Sequence, residues 1–218
     1  MAAPSPAQIR RAGDRALLVE PHALRLDTLV DRLRATPLPG VEDLLPAART
    51  LLITLSDGTD ASAVERELER LLTDSSPAGI GGGAPDIVTI PVTYDGADLE
   101  DVARQLGITV EEVVARHTSA EWRCQFVGFT AGFGYLEAEG AGLTVPRRTQ
   151  SRTAVPAGSV ALADGYSSVY PRRAPGGWQL IGTTPMEMWD LSRPRPALLI
   201  PGTQVRFVEA GRVKAGQA

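Results

Sequence analysis

The chain has 218 residues, a formal net charge of −4 and a hydrophobic content of 43%, values typical of a globular protein with a real core. Its length suits one large domain or two small ones. The acidic balance argues against a nucleic-acid partner, because Arg147, Arg148 and Arg152 make too small a basic patch. No apolar run is long enough to cross a membrane, so no membrane partner is expected either.

Three residue types are scarce, which excludes several chemistries. Lys214 is the only lysine, so the chain has no GxxxxGK[ST] phosphate-binding loop and no lysine for a Schiff base within the core. Two histidines, His22 and His117, and one cysteine, Cys124, provide no zinc-binding pattern, and no metal site is expected. The single cysteine excludes an internal disulfide. Together with an N-terminus that lacks an apolar segment, it favours a cytoplasmic location.

Residues 1–84 show the pattern of a small α/β domain. A Gly13-Asp14 turn separates two short strands, as in a hairpin. Apolar residues at helical spacing predict two helices, with two further strands between them. This order of strands and helices indicates a ferredoxin-like α/β sandwich. The predicted elements are strands 9–11, 16–19, 41–45 and 50–55, a helix that starts at Leu26 and ends before Pro37, and a helix from Ala61 to Leu72.

The segment Asp74–Pro85 is rich in Gly, Ser and Pro and has no hydrophobic pattern. This composition predicts a linker and places the domain boundary at about residue 84. The run Gly81-Gly82-Gly83 lacks the strand-then-helix context of a dinucleotide-binding loop, so a hinge is favoured over a phosphate contact.

A second domain, 85–218, begins with a predicted strand, Asp86–Thr93, and two predicted helices, Asp98–Leu106 and Thr109–His117. The helix, Gly turn and helix resemble a DNA-reading motif. Glu111 and Glu112 stand where a recognition helix needs cations, which argues against that function.

His117 ends the second helix, where a histidine interacts favourably with the helix dipole. It is also the only histidine of residues 85–218, and hence the only side chain there with an unperturbed pKa near neutrality. A helix-capping role and a catalytic role are both open.

The stretch from Phe126 to Gly182 alternates apolar strands with Gly/Pro turns and holds most of the aromatic residues. It predicts a closed or nearly closed β structure with a polar, aromatic-lined face. Within it, Pro175-Gly176-Gly177 predicts a turn in which the backbone takes φ > 0 and approaches a neighbour closely. Trp178 and Gln179 follow in a strand. Their side chains point to opposite faces, so one of them should line a pocket or subunit interface.

Several motifs occur in a fixed order between Ile90 and Val208: VPRR, VPAGSV, YP, PGGWQLIGTT and PGTQVRFV. With the opening GDRAL at Gly13, they resemble the allophanate hydrolase subunit 1 family. That family includes the B subunit of the bacterial ATP-dependent 5-oxoprolinase and the sporulation kinase inhibitor Kip, and it is similar to half of the carboxyltransferase region of urea carboxylase.

The resemblance implies an α+β chain in which the small N-terminal domain is followed by a cyclophilin-like β-barrel over residues 85–218. It implies a homologous, cyclophilin-like second subunit of the allophanate hydrolase subunit 2 type, with a third subunit in the 5-oxoprolinase. The complex would cleave 5-oxoproline to glutamate at the expense of ATP. The ATP, with or without Mg²⁺, would be bound by the complex rather than by this chain alone. Two alternatives stay open: a carboxyltransferase-like module of a urea carboxylase system, and a non-catalytic inhibitor of a histidine kinase.

Opening a lactam requires groups that bind phosphate and carboxylate, and a base. The three arginines suit the anions because guanidinium binds them bidentately, although surface or interface charges explain them as well. Barrel packing likewise explains the tyrosines. The catalytic candidates are His117, Arg148 and Gln179, and the substrate-binding candidates are Arg147, Arg152, Tyr135, Tyr166, Ser167, Tyr170 and Trp178.

Two segments depart from the family pattern. Ala131 and Gly134 replace the prolines of its GF-x-PGFPYL segment, which predicts a looser loop. Tyr166-Ser167-Ser168 replaces its Gln-Thr-Gly, so an aromatic ring stands in place of an amide. If that glutamine contacts substrate in relatives, this chain handles a different substrate or lacks the activity.

Overall fold

A computed structural model describes residues 7–22, 24–73 and 87–211 of the chain. The chain separates into two compact units, Met1–Ala84 and Pro85–Ala218. The predicted linker, Asp74–Pro85, lies outside the described residues, as does Asp86 at the start of the next predicted strand. Within the described ranges, no helix combines the length and apolar character needed to cross a membrane.

The first unit forms one antiparallel sheet and two helices. In chain order its elements are β1 (Ala7–Arg11), β2 (Ala16–Pro21), α1 (Leu26–Ala35), β3 (Val41–Pro46), β4 (Leu51–Leu55) and α2 (Ala61–Thr73). The strands lie in the order β1-β2-β4-β3, and each neighbouring pair is antiparallel. The predicted hairpin is confirmed, with Gly13 at a φ of +75°, and so are both predicted helices.

The core of the first unit follows the two periodicities of its sequence. Alternate β4 residues, Leu51, Ile53 and Leu55, are buried on one face of the sheet. Leu68 and Leu72 of α2 are buried at helical spacing and belong to the same cluster. The unit therefore buries one face of its sheet under its helices.

The second unit is built on a seven-stranded sheet. Its elements are β5 (Ile87–Val92), α3 (Leu99–Leu106), α4 (Val110–Ser119), β6 (Trp122–Val127), β7 (Gly134–Glu137), β8 (Arg152–Val155), β9 (Ser159–Ala163), β10 (Tyr166–Val169), β11 (Ala174–Gly176), β12 (Gln179–Thr183) and β13 (Gln204–Glu209). The sheet order is β12-β9-β10-β7-β6-β13-β5, and β8 pairs with β11 separately. Only the β13–β5 pair of this sheet is parallel.

The two edges of this sheet meet at Thr93 and Thr183. Thr93 follows β5 and Thr183 ends β12, and each backbone N–H donates to the other carbonyl at 2.8 Å. Glycine permits the approach, because a Cβ on Gly182 would lie 2.5 Å from the Thr93 carbonyl oxygen. A Cβ on Gly96 would overlap the Leu180 carbonyl oxygen. The sheet is therefore nearly closed into a barrel, which confirms the β structure predicted from the strand and turn pattern.

Both faces of the sheet are buried at β9. Val160 and Leu162 pack in a cluster that includes Val113 of α4, and we call this side the helix face. Ala161 and Ala163 point the opposite way, into a second cluster. This side, here the aromatic face, also holds Phe133, Tyr170 and Trp178.

The predicted turn at Pro175-Gly176-Gly177 is wrong in its backbone conformation. Gly176 ends β11, which pairs with β8, and neither glycine has a positive φ. The predicted close approach is confirmed. A Cβ on Gly176 would overlap the Tyr170 hydroxyl, and one on Gly177 would lie 2.9 Å from Ser151 Oγ. The glycines are needed here because they lack a side chain, while strand pairing keeps the backbone extended.

We expect Gly182→Ala to destabilise the second unit by about 1–3 kcal/mol, because the added methyl would meet the Thr93 carbonyl. All three tryptophans, Trp122, Trp178 and Trp189, belong to this unit, so their fluorescence during urea unfolding reports on it. Gly128→Ala is the matched control. Its Cβ would lie 3.7 Å from Tyr135, an ordinary contact, and its effect should stay within about 0.5 kcal/mol. Equal unfolding midpoints for the two variants would contradict the closure argument.

Candidate functional site

Aromatic side chains from several strands meet on the aromatic face. Tyr166 pairs in register with Glu137, so Tyr135 lies diagonally opposite on the same face. The two rings are 5.7 Å apart, edge to face, and Tyr135 stacks on Phe126 at 4.2 Å. We define the aromatic cluster as Phe126, Phe133, Tyr135, Tyr166, Tyr170 and Trp178.

The aromatic cluster carries polar groups at its partly exposed side. Tyr135 and Tyr166 are half-buried, and burial raises the pKa of both phenols, so both are protonated donors at neutral pH. Arg147 lies over the Trp178 ring, 6.0 Å from its centroid, and its Nε donates to Asp164 at 3.1 Å. Two hydroxyls and a guanidinium thus border an aromatic surface, a combination that suits a small planar ligand with polar edges.

A buried carboxylate, Asp98, holds two arginines beside β12. Its Oδ1 accepts hydrogen bonds from Arg148 Nη1 and, at 2.8 Å, from Arg152 Nη2. Its Oδ2 accepts from the Leu180 N–H at 2.7 Å. Burial alone would raise the pKa of Asp98. The hydrogen bonds from Arg152 and Leu180 and the two guanidinium charges outweigh burial and lower the pKa, so the group is a carboxylate at neutral pH.

Sequence reasoning missed Asp98. Its position just before α3 has the pattern of an N-cap, yet its side chain makes no capping hydrogen bond. Its partners Arg152 and Leu180 are 54 and 82 residues away in the sequence, so no local residue pattern predicts these contacts. The only signal in the sequence was an acidic residue at the start of a predicted helix, in a chain whose arginines had no assigned partner.

The segment around Arg148 runs beside the segment around Trp178. The Arg148 N–H donates to the Gly177 carbonyl at 2.7 Å, and Gln179 Nε2 donates to the Pro146 carbonyl at 3.0 Å. Trp178 and Gln179 are both buried, 4% and 5% exposed. Gln179 therefore uses its amide to hold a neighbouring segment. Its catalytic role stays a prediction.

His117 lies on the helix face, apart from the aromatic cluster. It is fully buried, its ring is stacked 4.2 Å from Phe207, and burial lowers its pKa to about 3. Nδ1 lies 2.8 Å from the Tyr94 hydroxyl and Nε2 lies 2.8 Å from Ser167 Oγ. A neutral imidazole has one donor and one acceptor, and these hydroxyls satisfy both. The catalytic role of His117 stays a prediction.

The structure distributes the ten predicted site residues over three places. Five of them lie in or over the aromatic cluster, three on β12 or the segments beside it, and two in the core of the helix face. These are, in that order, Arg147, Tyr135, Tyr166, Tyr170 and Trp178; Arg148, Arg152 and Gln179; and His117 and Ser167. Across the described ranges, no group of three or more His, Cys, Asp or Glu is arranged to hold a metal ion.

Comparison with known proteins identifies the family. Residues 7–199 match the family model described as carboxyltransferase domain, subdomain C and D. The chain belongs to this family. A protein of Escherichia coli O157:H7 that is named as the B subunit of 5-oxoprolinase is 38% identical over 182 residues, which is 80% of this chain and 81% of that protein.

Some of the solved structures that match extend well beyond the length of this chain, whereas the chain covers 97% of PH0987 from Pyrococcus horikoshii, at 28% identity and a TM-score of 0.54. The crystal structure of TTHA0988 matches with a TM-score of 0.70 and 35% identity over 90% of this chain, which spans only 40% of that chain. The crystal structure of the Kluyveromyces lactis urea carboxylase matches with a TM-score of 0.63 over 93% of this chain and 22% of that chain. At 20% identity, the second likeness shows the fold alone.

The buried histidine predicts an acid sensitivity of the second unit. The pKa of His117 is about 3 in the folded state and 6.5 ordinarily, so between these values the unfolded chain binds the extra proton. We expect the free energy of unfolding to fall as the pH falls below about 6.5, with a contribution from this residue of about 1.4 kcal/mol per pH unit.

The measurement is urea unfolding followed by tryptophan fluorescence from pH 7 to pH 4. His117→Gln should lose this part of the slope, and His22→Gln, which removes an exposed histidine of the other unit, should keep it. A wild-type slope in His117→Gln would show that other groups cause the acid sensitivity.

Proposed function

We propose that this chain is one subunit of a heteromeric, ATP-dependent hydrolase that opens a lactam of the 5-oxoproline type to give glutamate. The observation that supports this most directly is the 38% identity, over four fifths of both chains, with a protein named as the B subunit of 5-oxoprolinase. The aromatic cluster adds chemical support, since it offers ring faces and hydrogen-bond donors to a small planar amide.

The reaction makes a poorly electrophilic amide carbon reactive. ATP transfers its terminal phosphoryl group to the carbonyl oxygen and leaves as ADP, and a first water adds to the carbon. The ring C–N bond then breaks, which frees the protonated amine and leaves an acyl phosphate. A second water hydrolyses the acyl phosphate to the carboxylate of glutamate and inorganic phosphate. In this proposal the ring of Tyr135 holds the lactam plane, Trp178 supports Tyr135 from within the core, and the hydroxyls of Tyr135 and Tyr166 donate to the polar edge of the lactam. Arg147 supplies positive charge beside Trp178.

ATP enters as a co-substrate held mainly by the partner subunits. The chain's only lysine, Lys214, lies outside the described residues, and the sequence has no phosphate-binding loop of the Walker type. Its available cations are arginines, which suit phosphate but form no nucleotide pocket by themselves. We therefore assign to this chain the binding and orientation of the amide substrate.

The finer fold assignment is part of the proposal. The order ββαββα with sheet order β1-β2-β4-β3 is what a ferredoxin-like βαββαβ sandwich gives when its last strand moves to the front. We infer a cyclically permuted ferredoxin-like first unit. For the second unit, the nearly closed sheet with helices on one face supports a cyclophilin-like barrel.

The partner in this proposal is a homologous second subunit, with a third subunit completing the hydrolase in the cytoplasm. The match to TTHA0988 supports such a partner, since that chain continues well beyond the part that this chain matches. The Escherichia coli relative is itself named as one subunit of an enzyme, which implies companion subunits for that protein.

Two other functions are weaker. A carboxyltransferase module of a urea carboxylase system is favoured by the fold likeness to the Kluyveromyces lactis enzyme, at 20% identity. A kinase inhibitor would present an exposed apolar patch, and Phe129 and Trp189 are 60% and 40% exposed beside a common groove. A subunit that pairs with a homologue would present the same patch, so this observation does not favour the inhibitor.

Co-expression with the two candidate partner subunits tests the proposed function. We expect ATP-dependent release of glutamate from 5-oxoproline that disappears when this chain is left out. Release that continues without the chain would overturn the proposal. ATP-dependent carboxylation of urea with a biotin-bearing partner, in place of glutamate release, would establish the carboxyltransferase alternative.

The two phenol hydroxyls give a sharper test within the active complex. We expect Tyr135→Phe and Tyr166→Phe to lower kcat/KM by about 10-fold each, the loss of one hydrogen bond to the substrate. Within the described part of the chain these hydroxyls accept or donate no hydrogen bond, so the unfolding midpoint should not change. Full activity in both variants would remove the hydroxyls from the mechanism.

A further inference from the structure

The cluster of Asp98, Arg148 and Arg152 carries a surplus positive charge. One carboxylate faces two guanidinium groups, and in the described part of the chain neither guanidinium forms an ion pair with a second carboxylate. The net charge of the cluster is therefore +1. A charge placed in a partly desolvated position is costly unless an opposite charge or water compensates it.

The surplus charge lies on the accessible side of the cluster. The Asp98 side chain is 2% exposed, whereas those of Arg148 and Arg152 are 32% and 24% exposed. The carboxylate thus lies at the buried end of the cluster, and the two guanidinium groups reach the surface. An incoming anion would meet guanidinium groups first and Asp98 last.

The two guanidinium groups also have unused donors. Arg148 Nε and Arg152 Nη1 are buried and have no hydrogen-bond partner among the residues that the structure describes. A buried donor without a partner costs about 1–3 kcal/mol. These two atoms themselves are not open to an incoming anion, which would instead meet the exposed parts of the two guanidinium groups. A bound anion would compensate the surplus charge, and carboxylate and phosphate oxygens match the planar guanidinium fork.

The cluster is held rigidly by the closed end of the barrel. The Asp98 backbone N–H donates to the Leu180 carbonyl at 2.9 Å, while the Leu180 N–H donates to the Asp98 side chain. The Arg148 backbone is fixed to Gly177. Both carboxylate oxygens of Asp98 accept hydrogen bonds from its own chain, which makes it a poor base or metal ligand. Its function is to orient the arginines.

We propose that Arg148 and Arg152, oriented by Asp98, form a binding site for an anionic group of carboxylate or phosphate type. This inference rests on the proposed function for its choice of ligand, since a lactam substrate bears a carboxylate and ATP supplies phosphate. Asp98 acts as a positioning residue, and the two arginines contact the anion.

Binding to the full chain tests the site without turnover. The probes are 5-oxoproline, its neutral analogue 2-pyrrolidinone, which lacks the carboxylate, and inorganic phosphate, each titrated by calorimetry or NMR. Tight binding of 5-oxoproline over 2-pyrrolidinone identifies the carboxylate as the ligand group, and binding of phosphate identifies the phosphoryl group. The same titrations on the reconstituted complex cover a site that the partner completes.

Arginine-to-lysine variants keep the charge and the ion pair with Asp98 but remove the planar fork. We expect Arg148→Lys and Arg152→Lys to weaken binding of the anion by about 10-fold or more. Arg104→Lys is the matched control, since Arg104 forms an exposed pair with Asp101 on α3 and should bind the anion as the wild type does.

Asp98→Asn separates orientation from charge. It raises the net charge of the cluster from +1 to +2, so binding would tighten if charge alone mattered. We expect binding to weaken because the guanidinium groups lose their orientation, and tighter binding would overturn the positioning role. Unchanged affinity in both lysine variants, or no binding of either anion to chain or complex, would overturn the site. Anion binding without hydrolysis would instead count against the proposed function alone.

Discussion

The exchange of hydrogen bonds between Thr93 and Thr183 is the constraint on which the second unit depends. It joins the two edge strands of the sheet, β5 and β12. It requires Gly182, because any side chain there would overlap the Thr93 carbonyl. Gly96, three residues after Thr93, allows the backbone to pass close to the Leu180 carbonyl. Asp98 then reaches its arginines only because this closure has brought the start of α3 to β12. The contact that closes the sheet therefore also positions Asp98 and its two arginines.

The second unit holds one buried titratable group neutral and another charged. On the helix face the imidazole of His117 is neutral, since burial opposes its charge and two hydroxyls occupy its nitrogens. Beside β12 the carboxylate of Asp98 is charged, because two guanidinium groups and a backbone N–H overcome the cost of burial. The difference lies in the partners that the fold supplies to each group.

The segment that departs from the family pattern is packed into the fold, although the buried Ser168 Oγ has no hydrogen-bond partner among the described residues. Tyr166 packs its ring against Phe126 and Tyr135, and Ser167 meets His117 across the sheet. The next residue, Ser168, is fully buried. A bulkier ring in place of an amide has therefore been accommodated by the aromatic cluster.

The sequence by itself determined the local structure and the family. Periodicities of two and 3.6 predicted the strands and helices of the first unit and β5, α3 and α4 of the second, because residues that are buried on one face recur at these spacings. The ordered motifs predicted the family to which residues 7–199 belong. The sequence also proposed arginines and aromatic residues as site candidates, and their roles stay a prediction.

Only the tertiary structure decided which of these residues meet. Strand pairing and barrel closure brought Asp98 into contact with Arg152 and Leu180. They also brought His117 to Ser167, which is 50 residues away in the sequence. They also kept Gly176 extended where a turn was expected, since pairing with β8 outweighs the local preference of glycine. Contacts of this kind depend on strand order and register, which local residue patterns do not encode.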